Sequence, residues 1–264
     1  MRRIRLTVAY DGTDYCGWQI QKDKPTVEGM LTQAVCALTG ETAEAIGLTG
    51  AGRTDSGVHA RGNVAVFDTV SGIPGERFAF AVNQKLPPDI RVVRSEECAP
   101  DWHPRKRESE KVYVYRFYND RIEDPLLRRY AAHTYYRLDL EKMRAAAAFI
   151  EGEHDFTSFT NPDSQILKNG GSAVRTVFGI SIEAERGQKE TGMHGLITIT
   201  VRGSGFLYNM VRIIAGTLHD AGTGRIKPED IPAILEARSR SAAGPTAEAR
   251  GLMLERIVYE DDEK

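Results

Sequence analysis

The sequence predicts an α+β fold of two similar lobes, each a mainly antiparallel sheet with helices on the outside, the sheets joined into a central sheet and a catalytic cleft between the lobes. Three observations carry this reading. Segments with period-two apolar alternation, or rich in β-branched and aromatic residues, interleave with segments whose apolar residues recur at three and four. A chain of 264 residues, 41% hydrophobic with a mean hydropathy of −0.38, can bury one large or two modest cores. The two halves also present strands and helices in a comparable order, without a residue-level repeat. That order places a junction near residue 104, with an N-terminal lobe over 1–103 and a C-terminal lobe over 104–264. A cleft between two such lobes is the default binding site.

The elements follow in order. Ile4 to Tyr10 reads as a strand, and Thr26 to Leu38 as an amphipathic helix in which Val27, Met30, Leu31, Ala34, Val35 and Leu38 share a face and Thr26 caps the start. A second strand is expected over about Ala43 to Thr49, then a glycine-rich loop from Gly50 to Gly62 and a third strand from Asn63 to Asp68. A helix near Gly75 to Lys85 and a strand from Ile90 to Cys98 close the first half. Lys111 to Tyr118, dominated by aromatic and β-branched residues, opens the second half as a strand. A helix from Asp139 to Ile150, strands over Arg175 to Ala184 and Leu196 to Arg202, helices over Gly205 to Ala221 and Lys227 to Ala237, and a strand from Leu252 to Tyr259 complete the chain.

Composition excludes several classes. No stretch approaches the roughly 18 uninterrupted apolar residues of a membrane span, and the opening MRRIRLTVAYDG moves straight into strand character, so the expectation is a cytoplasmic protein without membrane attachment. Cys16, Cys36 and Cys98 form no CxxC pair, and the six histidines lack HxH or HExxH spacing, so reduced thiols and no metal are expected. A net charge of −2 and a pI near 6.3 run against a nucleic-acid protein, because phosphate binding normally shows as a basic excess. Charge is nevertheless uneven. Arg105, Lys106, Arg107, Lys111 and Arg116 outnumber Glu108 and Glu110 between Trp102 and Arg116, while Glu260 to Glu263 form an acidic tail. A local basic face on a near-neutral protein suits a selectively bound folded RNA; a solvated surface run is the alternative.

The sharpest local signal is Gly50-Ala-Gly-Arg53-Thr-Asp55-Ser-Gly57-Val-His59-Ala60, with three glycines, one carboxylate and one guanidinium. Glycines permit close backbone approach and positive φ, so such a loop can hold Asp55 in one pose while Arg53 offers a bidentate donor to an anion. Taken alone, it can equally be an Asx-turn in which Asp55 bonds its own backbone. Neither GxGxxG nor GxxxxGK is present, so it is not a phosphate-binding fingerprint.

These eleven residues resemble, nearly letter for letter, the catalytic loop of the TruA family of tRNA pseudouridine synthases. Six further motifs match that family in order: Tyr10-Asp11-Gly12 with Tyr15-Cys16-Gly17-Trp18-Gln19; Asn83 to Pro88 with Asp89-Ile90; Lys111-Val-Tyr113-Val-Tyr115; Asp155-Phe-Thr-Ser-Phe159; Gly205-Phe-Leu-Tyr-Asn-Met-Val-Arg212; and Gly244-Pro245-Thr246 before Gly251-Leu252. The resemblance spans almost the whole chain. It departs at Ser56, where alanine is more frequent, and at Trp102-His103-Pro104-Arg105, where Phe-His-Ala-Arg is common. Neither change removes a catalytic group, and Pro104 restricts its own φ and that of His103.

The resemblance implies an isomerase without cofactor that converts uridine to pseudouridine at positions 38, 39 and 40 of the tRNA anticodon stem-loop, working as a homodimer. It implies that Asp55 is the nucleophile, attacking either ring carbon six or the ribose anomeric carbon. Tyr113 matches a tyrosine that stacks on the target base, Arg212 an arginine that pairs with the aspartate and keeps it ionised, and Leu252 an apolar lining of the uracil pocket. On strand periodicity Tyr113, Tyr115 and Phe117 share a face, which for Tyr115 and Phe117 reads as core. Without the resemblance, Arg212 reads as a surface arginine and Leu252 as a buried strand residue. A base flipped from a stem needs cations to hold its backbone, for which Arg53, Arg61, Arg105, Lys106 and Arg107 are candidates. His59 is expected to stabilise the loop. A non-catalytic RNA binder on the same scaffold is the alternative, since the strand from Tyr113 to Tyr118 resembles a base-stacking sheet. A nucleotide hydrolase using Asp55 and His59 lacks both metal spacing and a phosphate loop.

Overall fold

The computed structural model describes residues 1–185 and 193–260, so 261–264, most of the acidic tail, lie outside the described residues. Along the chain run β1 (Arg2–Tyr10), α1 (Val27–Thr39), α2 (Ala43–Ile46), β2 (Thr49–Gly50), β3 (His59–Thr69), α3 (Phe78–Asn83) and β4 (Ile90–Cys98). Then follow β5 (Ser109–Asn119), β6 (Ala132–Thr134), α4 (Leu140–Ile150), β7 (Gly152–Asp155), α5 (Gln165–Lys168), β8 (Val174–Ala184), β9 (Gly195–Gly203), α6 (Met210–Thr223), α7 (Ile231–Glu236) and β10 (Leu252–Tyr259). The chain divides into a unit of 1–109 with 253–264 and a unit of 110–252. The C-terminal strand therefore returns to the first unit, where Met253 and Leu254 pair in parallel with His59 and Ala60.

In the first unit the strand order is β4-β1-β3-β10, with β2 added beside β3. Strand β1 alternates as its sequence predicts: Ile4, Leu6, Val8 and Tyr10 are buried while their neighbours are partly exposed. Strand β3 is buried along most of its length; β1 pairs with it from Ala60 to Thr69, β10 at His59 and Ala60, and β2 at Ala65 and Val66. Helix α1 starts where expected, with the Thr26 hydroxyl accepting from the Gly29 N–H at 3.3 Å. Phe78 of α3 meets Phe67 of β3 edge-on, 5.3 Å between centroids.

Two expectations are corrected here. The segment Ala43 to Thr49 is not a strand: Thr42 caps a single helical turn through the Ala45 N–H, and Gly47 ends it at φ +49, so only Thr49–Gly50 joins the sheet. Capping chemistry at Thr42 and Gly47 outweighs the run's apolar content. Strand β3 begins at His59 rather than Asn63, because Ala60 already pairs with Tyr10 and with Leu254.

The second unit orders its strands β5-β9-β8-β7, with β6 parallel to β5. Antiparallel pairing of β5 with β9 sets Tyr113 opposite Val201 and Tyr115 opposite Ile199. Tyr113, Tyr115 and Phe117 are all buried, as the aromatic stripe required. Helix α4 is capped by Asp139, which accepts from the Glu141 and Lys142 N–H groups. Helix α6 starts at Met210, not Gly205. Residues before it form a turn closed by the Met210 N–H on Leu207 O, and Asn209 takes a left-handed φ of +62. Lys227 to Ala237 is helical only from Ile231, after a 3-10 turn begun by Pro228.

Candidate active site

The Asp55 loop, Gly50 to Val58, is fixed from beneath by two other motifs of the first unit. Gly17 at φ +88 passes so close that a β-carbon there would stand 2.6 Å from Thr54 O, and the Trp18 N–H donates to that oxygen at 3.1 Å. Tyr15 O accepts from the Ser56 hydroxyl at 3.1 Å and the Gly57 N–H at 3.3 Å. Gly12 faces Val58 O, where a β-carbon would lie 2.0 Å away. The Tyr15 hydroxyl donates to Asp89 at 2.8 Å, tying in the helix-to-strand connection. Only glycine permits such backbone approach, which explains the spacing of glycines in the opening motif.

Behind the loop lies a buried polar group. Asn63 Oδ1 accepts from the Gly52 N–H at 3.3 Å and the Val64 N–H at 2.9 Å, while Nδ2 donates to Gly52 O at 3.1 Å and to the Tyr10 hydroxyl at 3.2 Å. Tyr10 in turn meets Thr54 Oγ1 at 2.8 Å. His59, buried, sets Nδ1 3.1 Å from both Asp11 Oδ1 and the Gly12 nitrogen, so it braces the loop against the opening motif as expected. Asp55 itself is half-buried and Arg53 exposed.

The basic candidates divide. Arg105 lays its Nε on Gly50 O at 2.7 Å, and burial together with the neighbouring charge of Arg53 holds its pKa below the ordinary arginine value. Arg53 lies near enough to Arg105 for their charges to repel, while Glu28 attracts Arg105, so two guanidiniums share one edge of the loop. Two like charges at one edge favour an incoming anion. Arg61 lies 4.0 Å from Glu255 of β10, Arg107 is 3.9 Å from Asp101, and Lys106 is exposed.

In the second unit, Tyr113 is buried with Phe206 edge-on at 5.3 Å. Arg212 of α6 donates from Nε to Ala247 O at 2.7 Å and from Nη1 to Asn209 Oδ1 at 3.0 Å. The Ala247 N–H returns a bond to Arg212 O at 3.1 Å. The same loop approaches α6 through glycine: a β-carbon on Gly216 would stand 1.8 Å from Pro245 O. Further on, Gly251 lies against the Tyr115 ring, and the Tyr115 hydroxyl donates to Glu248 O at 2.9 Å. Arg212 and Tyr115 are thus tied to one loop, 244–251, which leads into buried Leu252 at the start of β10.

A family model for tRNA pseudouridine synthase matches residues 6–105 and 145–260. The chain belongs to that family. Its members are isomerases that convert uridine to pseudouridine, and the resemblance read from the seven motifs is borne out. The chain is 43% identical to tRNA pseudouridine synthase A of Acetivibrio thermocellus over 259 residues, 98% of this chain and 100% of that protein. It is 44% identical to the protein of the same name from Ruminiclostridium cellulolyticum, over 98% and 100%, and 46% identical to that of Moorella thermoacetica, over 97% and 99%. The family match leaves out 106–144, where Tyr113 lies, but these full-length likenesses run through it. What sequence reasoning missed is the polar group of Tyr10, Thr54 and Asn63. The available signal was Asn63 itself, a polar residue opening the apolar run Val64-Ala-Val-Phe67.

Proposed function

We propose that this protein isomerises uridine to pseudouridine at positions 38, 39 and 40 of the tRNA anticodon stem-loop, with Asp55 as nucleophile and the target base flipped out of the stem. The observation that carries this reading is the Asp55 loop: in a chain of this family, its one carboxylate sits on backbone pinned by Gly17, Trp18, Tyr15 and Asn63, beside Arg53 and Arg105. A pinned carboxylate can meet a base at reacting distance without reorganising.

The carboxylate adds to ring carbon six or to the anomeric carbon, the glycosidic bond breaks, and the uracil turns. Its carbon five then bonds to the sugar, the bond between Asp55 and the substrate breaks so that the carboxylate is regenerated, the hydrogen on carbon five leaves as a proton, and the ring nitrogen freed from the sugar takes up a proton. Product and substrate are isomers, so no oxidant or reductant enters the balance. In this reading Tyr113 stacks on the uracil, Arg212 keeps Asp55 ionised and Leu252 lines the base. Arg53 and Arg105 take the phosphates next to the flipped nucleotide, and Arg61, Lys106 and Arg107 extend that track, each by charge–phosphate attraction. The protein acts in the cytoplasm as a homodimer that grips one tRNA across both copies. Among the described residues no helix is long and apolar enough to cross a membrane.

The test is release of tritium from uridine labelled at carbon five in an unmodified tRNA transcript, comparing native protein with Asp55→Ala and Asp55→Asn. Release by the native protein, lost in both variants while tRNA binding persists, supports the reading. Tight tRNA binding without release favours the non-catalytic binder and removes the mechanism.

A further inference from the structure

Gly52 and Thr54 flank Arg53, and Thr54 directly precedes Asp55. Both are held from within, while Arg53 is exposed and Asp55 half-buried. Residues pinned to the interior thus alternate with residues presented outward. One side chain does most of the pinning: the Asn63 carboxamide bonds both backbone groups of Gly52, as a neighbouring strand residue would, and all four of its hydrogen-bonding positions are used. Only one orientation of the amide works, since turning it over would set carbonyl against carbonyl at Gly52.

The direction of the remaining bonds follows. The Tyr10 hydroxyl accepts from Asn63 Nδ2, which leaves its own hydrogen for Thr54 Oγ1, 2.8 Å away. Burial raises the Tyr10 pKa well above that of a free phenol, so this donor persists across the working pH range. Asn63 is fully buried and Tyr10 and Thr54 nearly so, which shields the chain of bonds from competing water.

We infer that Asn63, Tyr10 and Thr54 act as positioning residues for the chemical step, through a directed chain of hydrogen bonds that sets the pose of the Asp55 carboxylate. The inference rests on Asp55 being the nucleophile. Its logic is geometric. The loop backbone at 52–54 is irregular and cannot be held by a strand ladder, and a displacement of about 1 Å at a reacting group can cost on the order of a hundredfold in rate. The three residues touch no substrate in this scheme and act only through the backbone that carries Asp55.

The experiment compares Thr54→Val, Thr54→Ser, Tyr10→Phe and the double variant Tyr10→Phe/Thr54→Val with native protein and Asp55→Ala, reading kcat and KM by tritium release, tRNA Kd by filter binding, and melting temperature. Thr54→Val and Tyr10→Phe are each expected to lower kcat roughly tenfold or more, with KM and Kd held within about twofold. Thr54→Ser, which keeps the hydroxyl, is expected to retain native kcat. The double variant should be no slower than the slower single, because both changes remove the same hydrogen bond. Folded Thr54→Val and Tyr10→Phe with kcat within about twofold of native, or Thr54→Ser as slow as Thr54→Val, would overturn the inference. If Thr54→Val does not fold, Tyr10→Phe decides by the same criterion. Tritium release by Asp55→Ala would instead remove the premise, an outcome separate from failure of the positioning chain.

Discussion

Gly17 and Thr54 are in backbone contact: a β-carbon on Gly17 would lie 2.6 Å from Thr54 O, and Gly17 holds a φ of +88 that L side chains rarely adopt. The opening motif therefore reaches the residue before Asp55 with nothing in between. Gly17→Ala must move the loop or strain the turn. Its kcat for tritium release is expected to fall by on the order of a hundredfold, and its stability by about 1–3 kcal/mol. Kinetics and thermal melting check the two parts, and native kcat in a folded Gly17→Ala would show that this contact does not set the loop.

Arg105 couples charge to the same loop through Gly50 O. Arg105→Met should weaken tRNA binding and reduce the slope of log Kd against log salt by about one, the loss of one phosphate contact. Arg105→Lys keeps the charge and should keep the slope. An unchanged slope in Arg105→Met would take this residue out of the RNA track.

Gly216 of α6 carries no side chain because Pro245 O occupies the space, 1.8 Å from where a β-carbon would be. Gly216→Ala should push away the loop whose Ala247 carbonyl accepts from Arg212. A loss of at least about 2 kcal/mol is expected, read as a shifted urea midpoint at constant m-value. An unshifted midpoint would show that helix and loop part without cost.

His219 of α6 stacks near Phe117 at 5.3 Å, with Thr134 Oγ1 on Nε2 at 2.9 Å and Asp220 Oδ1 3.3 Å from Nδ1. Burial lowers its pKa below the ordinary 6.5 and prevails over the opposing pull of Asp220, while Arg225 pushes the same way as burial. The folded state thus binds this proton less readily than the unfolded one. Its contribution to stability is present above pH 6.5 and is lost as pH falls below it toward the depressed folded value. Native protein should lose melting temperature over that interval, and His219→Gln should lose less. Equal acid slopes for the two proteins would refute the assignment.

Much of the fold was legible because its signals are local. Strand β4 runs from Ile90 to Cys98 and α4 starts after Asp139, both as the sequence predicts, because alternation and a cap act over a few residues. The departures have two origins, one in local capping and one in long-range pairing. Ala43 to Ile46 has strand-like neighbours but is turned into a helix by Thr42 and Gly47, and β3 starts early because β10 pairs with it.

The sequence by itself determined the mixed class with a mainly antiparallel sheet, the composition of the Asp55 loop and the family, since periodicity and motif order are written along the chain. Only the tertiary structure decided which distant groups meet. Asn63 holds Gly52 from 11 residues away, Arg105 holds Gly50 from 55, and Met253 and Leu254 return to the first unit beside His59 and Ala60. A side chain's local pattern says whether it faces inward. Which backbone carbonyl awaits it there depends on how strands far apart in sequence pair, and that is settled only when the whole sheet and its buried polar groups are satisfied together.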